Sequence, residues 1–279
     1  MPVFLAHDGS LNGDWIAHYA LHLAAGSVDR RLTVLHVEDA NISGEPLHQR
    51  LERVSGLGER IGVTVETEIL PMHGGVFGGL DDYLPKGPET LLVSGARVSG
   101  GRRGLLSGTI SERLLRFGHY NVLAIHVLQP GLLGDPRRVL LTLSDPGSAL
   151  RAMPFLLPLA PAIEHLDILH LAMVSRFRFS NLSAADAARL YHAAQSVAES
   201  AANEIAASIP LSTDRIDSHV RVSDDWAKQT AVEAGRYRAG LTMAEMPSLK
   251  STGLSFGHPI EQLMRIAPSD VAVYREAEA

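Results

Sequence analysis

The stretch LLVSGARVSGGRRGLLSGTISERLLRFGHYNVLAI, residues 91–125, decides the fold, because a second version of it follows. Residues 240–274 read GLTMAEMPSLKSTGLSFGHPIEQLMRIAPSDVAVY; laid 149 positions apart without a gap, the two agree at nine of 35 positions. Gly104/Gly253, Gly108/Gly257, Glu112/Glu261, Leu114/Leu263 and Arg116/Arg265 are among the identities. Ordinary residue frequencies would give about two or three. Each copy runs from an apolar strand (Leu91–Ser94, Leu241–Met243) through a loop and an amphipathic run to a last apolar strand, Val122–Val127 or Val271–Tyr274. Such short apolar runs between helices read as strands buried on both faces of a parallel sheet.

Working outward, the same order extends to both ends. Val3–Ala6 is a strand running into the turn Asp8-Gly9-Ser10, and Asn12–Ala25 has helical spacing. Leu32–Val37 and Val63–Leu70 are strands, Leu47–Ile61 is a helix, and a short helix lies near Leu80–Leu84. Leu128–Pro136 (LQPGLLGDP) interrupts both periodicities, and the order restarts at Arg138–Leu143, which ends in Ser144-Asp145-Pro146-Gly147. Leu166–Val174, a long helix over Ser183–Ala207 capped by Ser183 and Asp186, His219–Val222 and Asp225–Tyr237 follow. No helix is read in Ala152–Ile163, which carries Pro154, Pro158 and Pro161. The fold class is α/β: two tandem doubly wound parallel-sheet domains, 1–128 and 137–279, joined by a linker at 129–136. A chain of 279 residues suits two domains of about 140.

Composition removes several function classes. A net charge of −6 argues against a non-specific nucleic-acid binder, which needs a basic surface. With no cysteine, disulfides, thiol catalysis and thiolate-held zinc are excluded. The start MPVFLAHDGS has no basic region and is not a signal peptide, and no apolar run is long enough to span a membrane. A cytoplasmic protein is expected. The thirteen histidines are scattered, no tight pair at ligand spacing is read on one helix, and no metal is expected. His36, His126 and His170 read as hydrogen-bonded core or interface residues. Gly-x-Ser-x-Gly is absent, no catalytic residue is singled out, and Ser10 reads as a helix cap.

In an open parallel sheet, ligands sit beyond the carboxyl ends of the strands. Asp8-Gly9-Ser10, Val37-Glu38-Asp39 and the loop Gly95–Thr109 converge there. That loop has Gly95, Gly100, Gly101, Gly104 and Gly108 with Arg97, Arg102 and Arg103. Glycines let backbone N–H groups approach an anion, and the following helix adds its N-terminal dipole. Thr109-x-x-Glu112 also fits a capping box. The loop is neither a Walker A loop nor a dinucleotide fingerprint. The second copy has Ala244, Glu245, Met246, Pro247, Gly257, His258 and Pro259 in its place, with Lys250 as the sole basic residue. It reads as the same fold with a degenerate site.

These residues resemble the universal stress protein family, whose nucleotide-binding members carry Gly-x2-Gly-x9-Gly-(Ser/Thr) after the fourth strand. Here Gly95, Val98 and Gly108-Thr109 keep that spacing, Asp8 lies in HDGS, and Leu35-His36-Val37 matches the end of the family's second strand. The departure is Val98, where the family has a glycine and where a β-branched residue disfavours positive φ; Gly100 and Gly101 offer another path. The resemblance covers both halves and implies a tandem member with the adenine-nucleotide-hydrolase-like fold. It implies a regulatory or protective role in the stress response, with ATP or another adenine nucleotide, alone or with magnesium, in the N-terminal domain. Asp8, Gly9 and Ser10 would stand on the ribose or adenine side. The backbone of Val37 would hold adenine, Ser94, Gly95 and Arg97 would line the nucleotide, and Gly108, Thr109 and Ile110 would take the phosphates. The second domain would serve as a built-in dimerisation partner through Val122–Val127 and Val271–Tyr274, leaving room for a homodimer or a further protein partner. An interaction module without nucleotide is the alternative, and a slow ATPase the second alternative.

Overall fold

A computed structural model of the chain describes residues 1–38, 43–96, 109–128, 136–246 and 258–277. The first half contains β1 (Val3–Ala6), α1 (Leu11–Ala25), β2 (Arg31–Val37), α2 (Glu45–Arg60), β3 (Thr64–Leu70), α3 (Val76–Tyr83), β4 (Gly87–Gly95), α4 (Ile110–Phe117) and β5 (Tyr120–His126). The second contains β6 (Arg138–Leu143), α5 (Ser148–Leu159), β7 (His165–Met173), α6 (Arg176–Ser180), α7 (Ala184–Ser208), β8 (Ile216–Ser223), α8 (Trp226–Arg236), β9 (Leu241–Glu245), α9 (Pro259–Ile266) and β10 (Asp270–Arg275).

The central strands are apolar on both faces, so both faces must be covered. Leu5, Leu91, Val93 and Leu123 pack against α1 and α2, while Phe4, Leu92, Val122 and Ala124 face α3 and α4. All ten strands form one sheet in the order β3-β2-β1-β4-β5-β10-β9-β6-β7-β8. Read outward from the middle, the order is the same in both halves. Every pairing is parallel except the central one, where β5 and β10, the two strands singled out in the sequence, run antiparallel with Val273 opposite Ala124.

Specific bonds lock this joint. Asp270, wholly buried, accepts from the Tyr19 hydroxyl and from the Leu128 N–H, each at 2.7 Å. Arg275 reaches across to the carbonyls of Leu115 and Gly118, each at 2.7 Å, at the C-terminal end of α4, where a cation complements the helix dipole. One core layer also runs through both halves, from Ile16 and Tyr19 of α1 to Phe155 and Leu159 of α5.

The structure corrects the sequence reading in three places. First, α5 is a helix despite Pro154 and Pro158 in its interior. Burial of Phe155, Leu156 and Leu159, about 1.5–3 kcal/mol each, is of the size needed to offset two interior prolines at about 3 kcal/mol each. Second, α3 begins at Val76, inside the glycine-rich stretch. Third, the repeat needs a gap. The Ala96 N–H donates to the Ile125 carbonyl and the Met246 N–H to that of Tyr274. Ile125 and Tyr274 are 149 positions apart, but Ala96 and Met246 are 150 apart. The structural counterpart of Gly95 is therefore Glu245. The expected linker, apart from Pro136, lies outside the described residues.

Candidate functional site

β1 and β4 are neighbours whose helices leave to opposite faces, α1 to one and α4 to the other, and the crevice at such a switch point is where open sheets bind ligands. A cavity of about 510 Å³ lies there, at the carboxyl ends of β1, β2 and β4. Asp8, Val37, Ser94, Gly95, Thr109 and Ile110 all line it. So do His7 and Asn12, which the sequence reading passed over. Arg97 and Gly108, with Val98 and the other loop arginines, lie outside the described residues.

The turn that carries Asp8 is built by its own backbone. Gly9 has φ of 73°, the left-handed region that glycine enters without strain. The Asp8 carboxylate accepts from the Ser10 N–H at 2.9 Å and from its hydroxyl at 2.6 Å. Ser10 in turn caps α1, accepting from the Gly13 N–H at 3.2 Å. Gly9 and Ser10 are thus turn and cap residues that do not line the cavity, while Asp8 does.

Behind Asp8, a relay running from buried His7 to half-buried Asp14 and Arg50 fixes the turn. His7 Nδ1 accepts from the Gly9 N–H at 2.9 Å, so its proton sits on Nε2, 3.1 Å from Asp14. Asp14 also holds Arg50 of α2 at 2.6 Å. Two signals were open to sequence reasoning: His7 directly follows the first strand, and Asp14 lies in the first turn of the first helix. Arg50 carried none, because it is 36 positions from Asp14.

One wall of the cavity is set by the end of β2. The Leu35 carbonyl accepts from His7 N–H, on the β1 side, whereas Glu38 N–H donates to Leu70 on the β3 side. Backbone groups alternate along a strand, so those of Val37 face the β1 side, beside the cavity. His36 supports this end by bonding the His7 carbonyl through Nδ1 at 2.9 Å. His170 makes the matching bond to Leu143 at 3.4 Å in the second half.

The anion side is set by β4 and α4. A Cβ on Gly95 would lie 2.7 Å from Ile16 Cδ1, so any larger residue here makes the Ile16 side chain of α1 move. Thr109 is the N-cap of α4, accepting from Glu112 N–H at 3.1 Å. Ser111 uses its hydroxyl to bond the Gly95 carbonyl, which ties the helix start to the strand end. Ser94 is 3% exposed, and its hydroxyl has no partner among the described residues. A buried, unsatisfied hydroxyl is unfavourable by about 1–3 kcal/mol unless something fills the cavity to meet it.

The second half closes the corresponding place with its own side chains. Asp145 repeats the Asx turn of Asp8, its carboxylate accepting from Gly147 N–H at 2.7 Å. Glu245, the counterpart of Gly95, projects a carboxylate where the first half has none. Arg151, from the first turn of α5, binds Glu245 through Nε and Asp145 through Nη2 at 2.6 Å. Ser144 and Ser148 hydroxyls complete the cluster on Glu245 at 2.8 and 3.0 Å. Hydrogen bonding to Arg151 pulls the Asp145 carboxyl below the usual carboxylate range. Two carboxylates and one guanidinium leave this end negative.

No family model matches the chain, and no curated protein matches it. Solved structures do. A universal stress protein from Archaeoglobus fulgidus DSM 4304 is similar over 99% of this chain and 97% of its own, with a TM-score of 0.60 at 16% identity. The cytoplasmic domain of a prokaryotic cation chloride cotransporter gives 0.62 at 16% identity over 99% of this chain and 95% of its own. A protein described as a putative universal stress protein from Pseudomonas aeruginosa UCBPP-PA14 gives 0.55 at 16% identity, over 98% of this chain and 92% of its own. At these identities the likeness establishes the fold. The chain has the fold of the universal stress proteins, with the same strand order in both of its halves.

Proposed function

We propose that the chain is a tandem universal stress protein that binds an adenine nucleotide in its first half and acts in a regulatory or protective role. The second half, on this reading, is a domain that no longer binds nucleotide and completes the sheet. The observation that carries it is the 510 Å³ cavity, within the range of small-molecule sites, with six of the expected residues on its wall. Val37 would present backbone groups to the base and Ser94 a hydroxyl to the ribose. The capped start of α4 would offer N–H groups to the phosphates. No helix among the described residues is long and apolar enough to cross a membrane.

Isothermal titration of the full chain with ATP, with and without magnesium, tests this. A saturable signal with one site per chain is expected, abolished by Gly108→Glu with the melting temperature kept. No heat at millimolar nucleotide, together with no nucleotide released from the denatured native protein, sinks the reading and leaves the interaction module. A hydrolysis rate above that of the Gly108→Glu control would instead make the protein an ATPase.

A further inference from the structure

β7 and β8 lie side by side at the outer end of the second half, and their register sets Asp167 beside Asp217 and Leu169 beside His219. Alternation along the strands then puts His165, Asp167, Asp217 and His219 on one face. His165 Nε2 is 3.1 Å from Asp217 Oδ2 and 3.7 Å from Asp167 Oδ1, and His219 Nε2 is 2.8 Å from the same Asp167 oxygen. The His219 ring is held by stacking on Tyr237, centroids 4.0 Å apart and planes 15° apart. This group lies near the amino ends of the strands, away from the nucleotide cavity at the carboxyl ends.

Two observations go beyond proximity. Asp167 is 2% exposed, and its Oδ2 has no hydrogen-bond partner among the described residues. A buried carboxylate is stable only when paired or coordinated. Among the described residues no lysine or arginine pairs with Asp167 or Asp217. Arg138, beside His165 in the register, is exposed and reaches neither carboxylate. Both carboxylates therefore rest on imidazoles, with no fixed cation paired to them among the described residues. The donor set is the second observation. An imidazole nitrogen beside two carboxylates suits zinc and its neighbours better than magnesium or calcium. Bonds of about 2.0–2.2 Å in a tetrahedral site place ligand atoms about 3.3–3.6 Å apart. Ligand atoms of His165, Asp167 and Asp217 all lie within 4.8 Å of one another, and rotamer shifts can bring them to that spacing, whereas His219 stands outside this group and holds Asp167.

We propose that His165, Asp167 and Asp217 hold one divalent transition-metal ion of the zinc class, which clamps the edge strand β8 to β7, while His219 orients Asp167 from outside the ligand set. The Asp217 side chain, 61% exposed, marks the side from which the ion enters. On binding, His165 moves its proton to Nδ1 and gives the Nε2 lone pair to the metal, the two carboxylates balance its charge, and solvent on the exposed side fills the fourth position. This differs from the expectation drawn from histidine spacing along single helices. The three ligands here come from two strands, with Asp217 standing 52 positions from His165. His18 and His22, one turn apart on α1, serve as the comparator because they join no such ligand cluster among the described residues.

The full chain, metal-free and without an affinity tag, is titrated with Zn(II) by calorimetry and with Co(II) by visible absorption. One zinc per chain at neutral pH, a rise in melting temperature and the intense bands of tetrahedral cobalt are expected. Asp217→Asn and His219→Gln should each weaken zinc at least tenfold, and Asp167→Asn should do the same if it folds; His18→Gln with His22→Gln should leave it unchanged. Absence of zinc binding at neutral pH overturns the proposal. So does binding lost in the His18/His22 variant but kept in Asp217→Asn and His219→Gln.

Discussion

In the first half β4 ends in Gly95, and in the second its counterpart at the end of β9 is Glu245. In the first turn of the helices that follow β1 and β6, Asp14 stands in α1 and Arg151 in α5. In the first half the carboxylate of Asp14 turns inward to His7 and Arg50, leaving a cavity in front of it. In the second the arginine turns outward across the strand ends and meets Glu245 and Asp145. One sheet architecture thus gives an open crevice or a filled one, according to two side chains. The fold supplies the place, and the residues at the strand ends decide whether anything can enter it.

The sharpest way to break this comparison is to copy the second half into the first. Gly95→Glu places a carboxylate in the cavity and should weaken ATP binding at least 100-fold, roughly 2.7 kcal/mol. Gly95→Ala, read beside it, separates the charge from the contact with Ile16. Calorimetry showing Gly95→Glu to bind like the parent would mean that Glu245 is not what distinguishes the halves.

Opening the second half should be the next largest effect. Arg151→Ala leaves Glu245 and Asp145 without their cation and should lower stability by about 2 kcal/mol in urea unfolding, less than a fully buried pair would lose. Arg151→Met with Glu245→Gln should restore most of it. The same variant tests a pH dependence. The folded pKa of Asp145 lies below its unfolded value of about 3.9, so its contribution is fully present above about pH 4 and is lost as pH falls toward the folded value. The drop in urea midpoint below pH 4 should be shallower in Arg151→Ala than in the parent.

The helix starts give the smallest contrast. Thr109→Ala should destabilise by about 1 kcal/mol, as for other lost N-caps. His258, the N-cap of α9, accepts through Nδ1 at 3.3 Å, and burial lowers its pKa and keeps it neutral and able to accept. Its replacement by alanine should cost only a few tenths of a kcal/mol, since the bond is long. Equal losses in thermal unfolding would remove this difference between the halves.

Much of the fold was legible because it is periodic and local. Val3–Ala6, Leu32–Val37 and Arg138–Leu143 are apolar runs bounded by turn residues, and Ser183 with Asp186 announces the start of α7, where the serine does cap the helix. Six of the ten expected site residues line the cavity because strand ends and helix caps mark themselves in sequence. What stayed hidden was non-local. The prolines of α5 masked a helix that burial sustains. The one-residue offset between β4 and β9 concealed Glu245 as the counterpart of Gly95, because an ungapped comparison placed it opposite Ala96. The cluster on β7 and β8 exists only through strand register, which no spacing along the chain reveals.

The antiparallel seam between β5 and β10 has a consequence for how the two ends could come to differ. When two identical chains meet along such a seam, every substitution is made twice, and a residue that plugs one crevice plugs the other. Here both sides of the seam belong to one polypeptide. A glutamate at 245 and an arginine at 151 can enter one side while Gly95 and Asp14 stay on the other. Fusion keeps the shape of a two-fold pair and releases the sequence from obeying it.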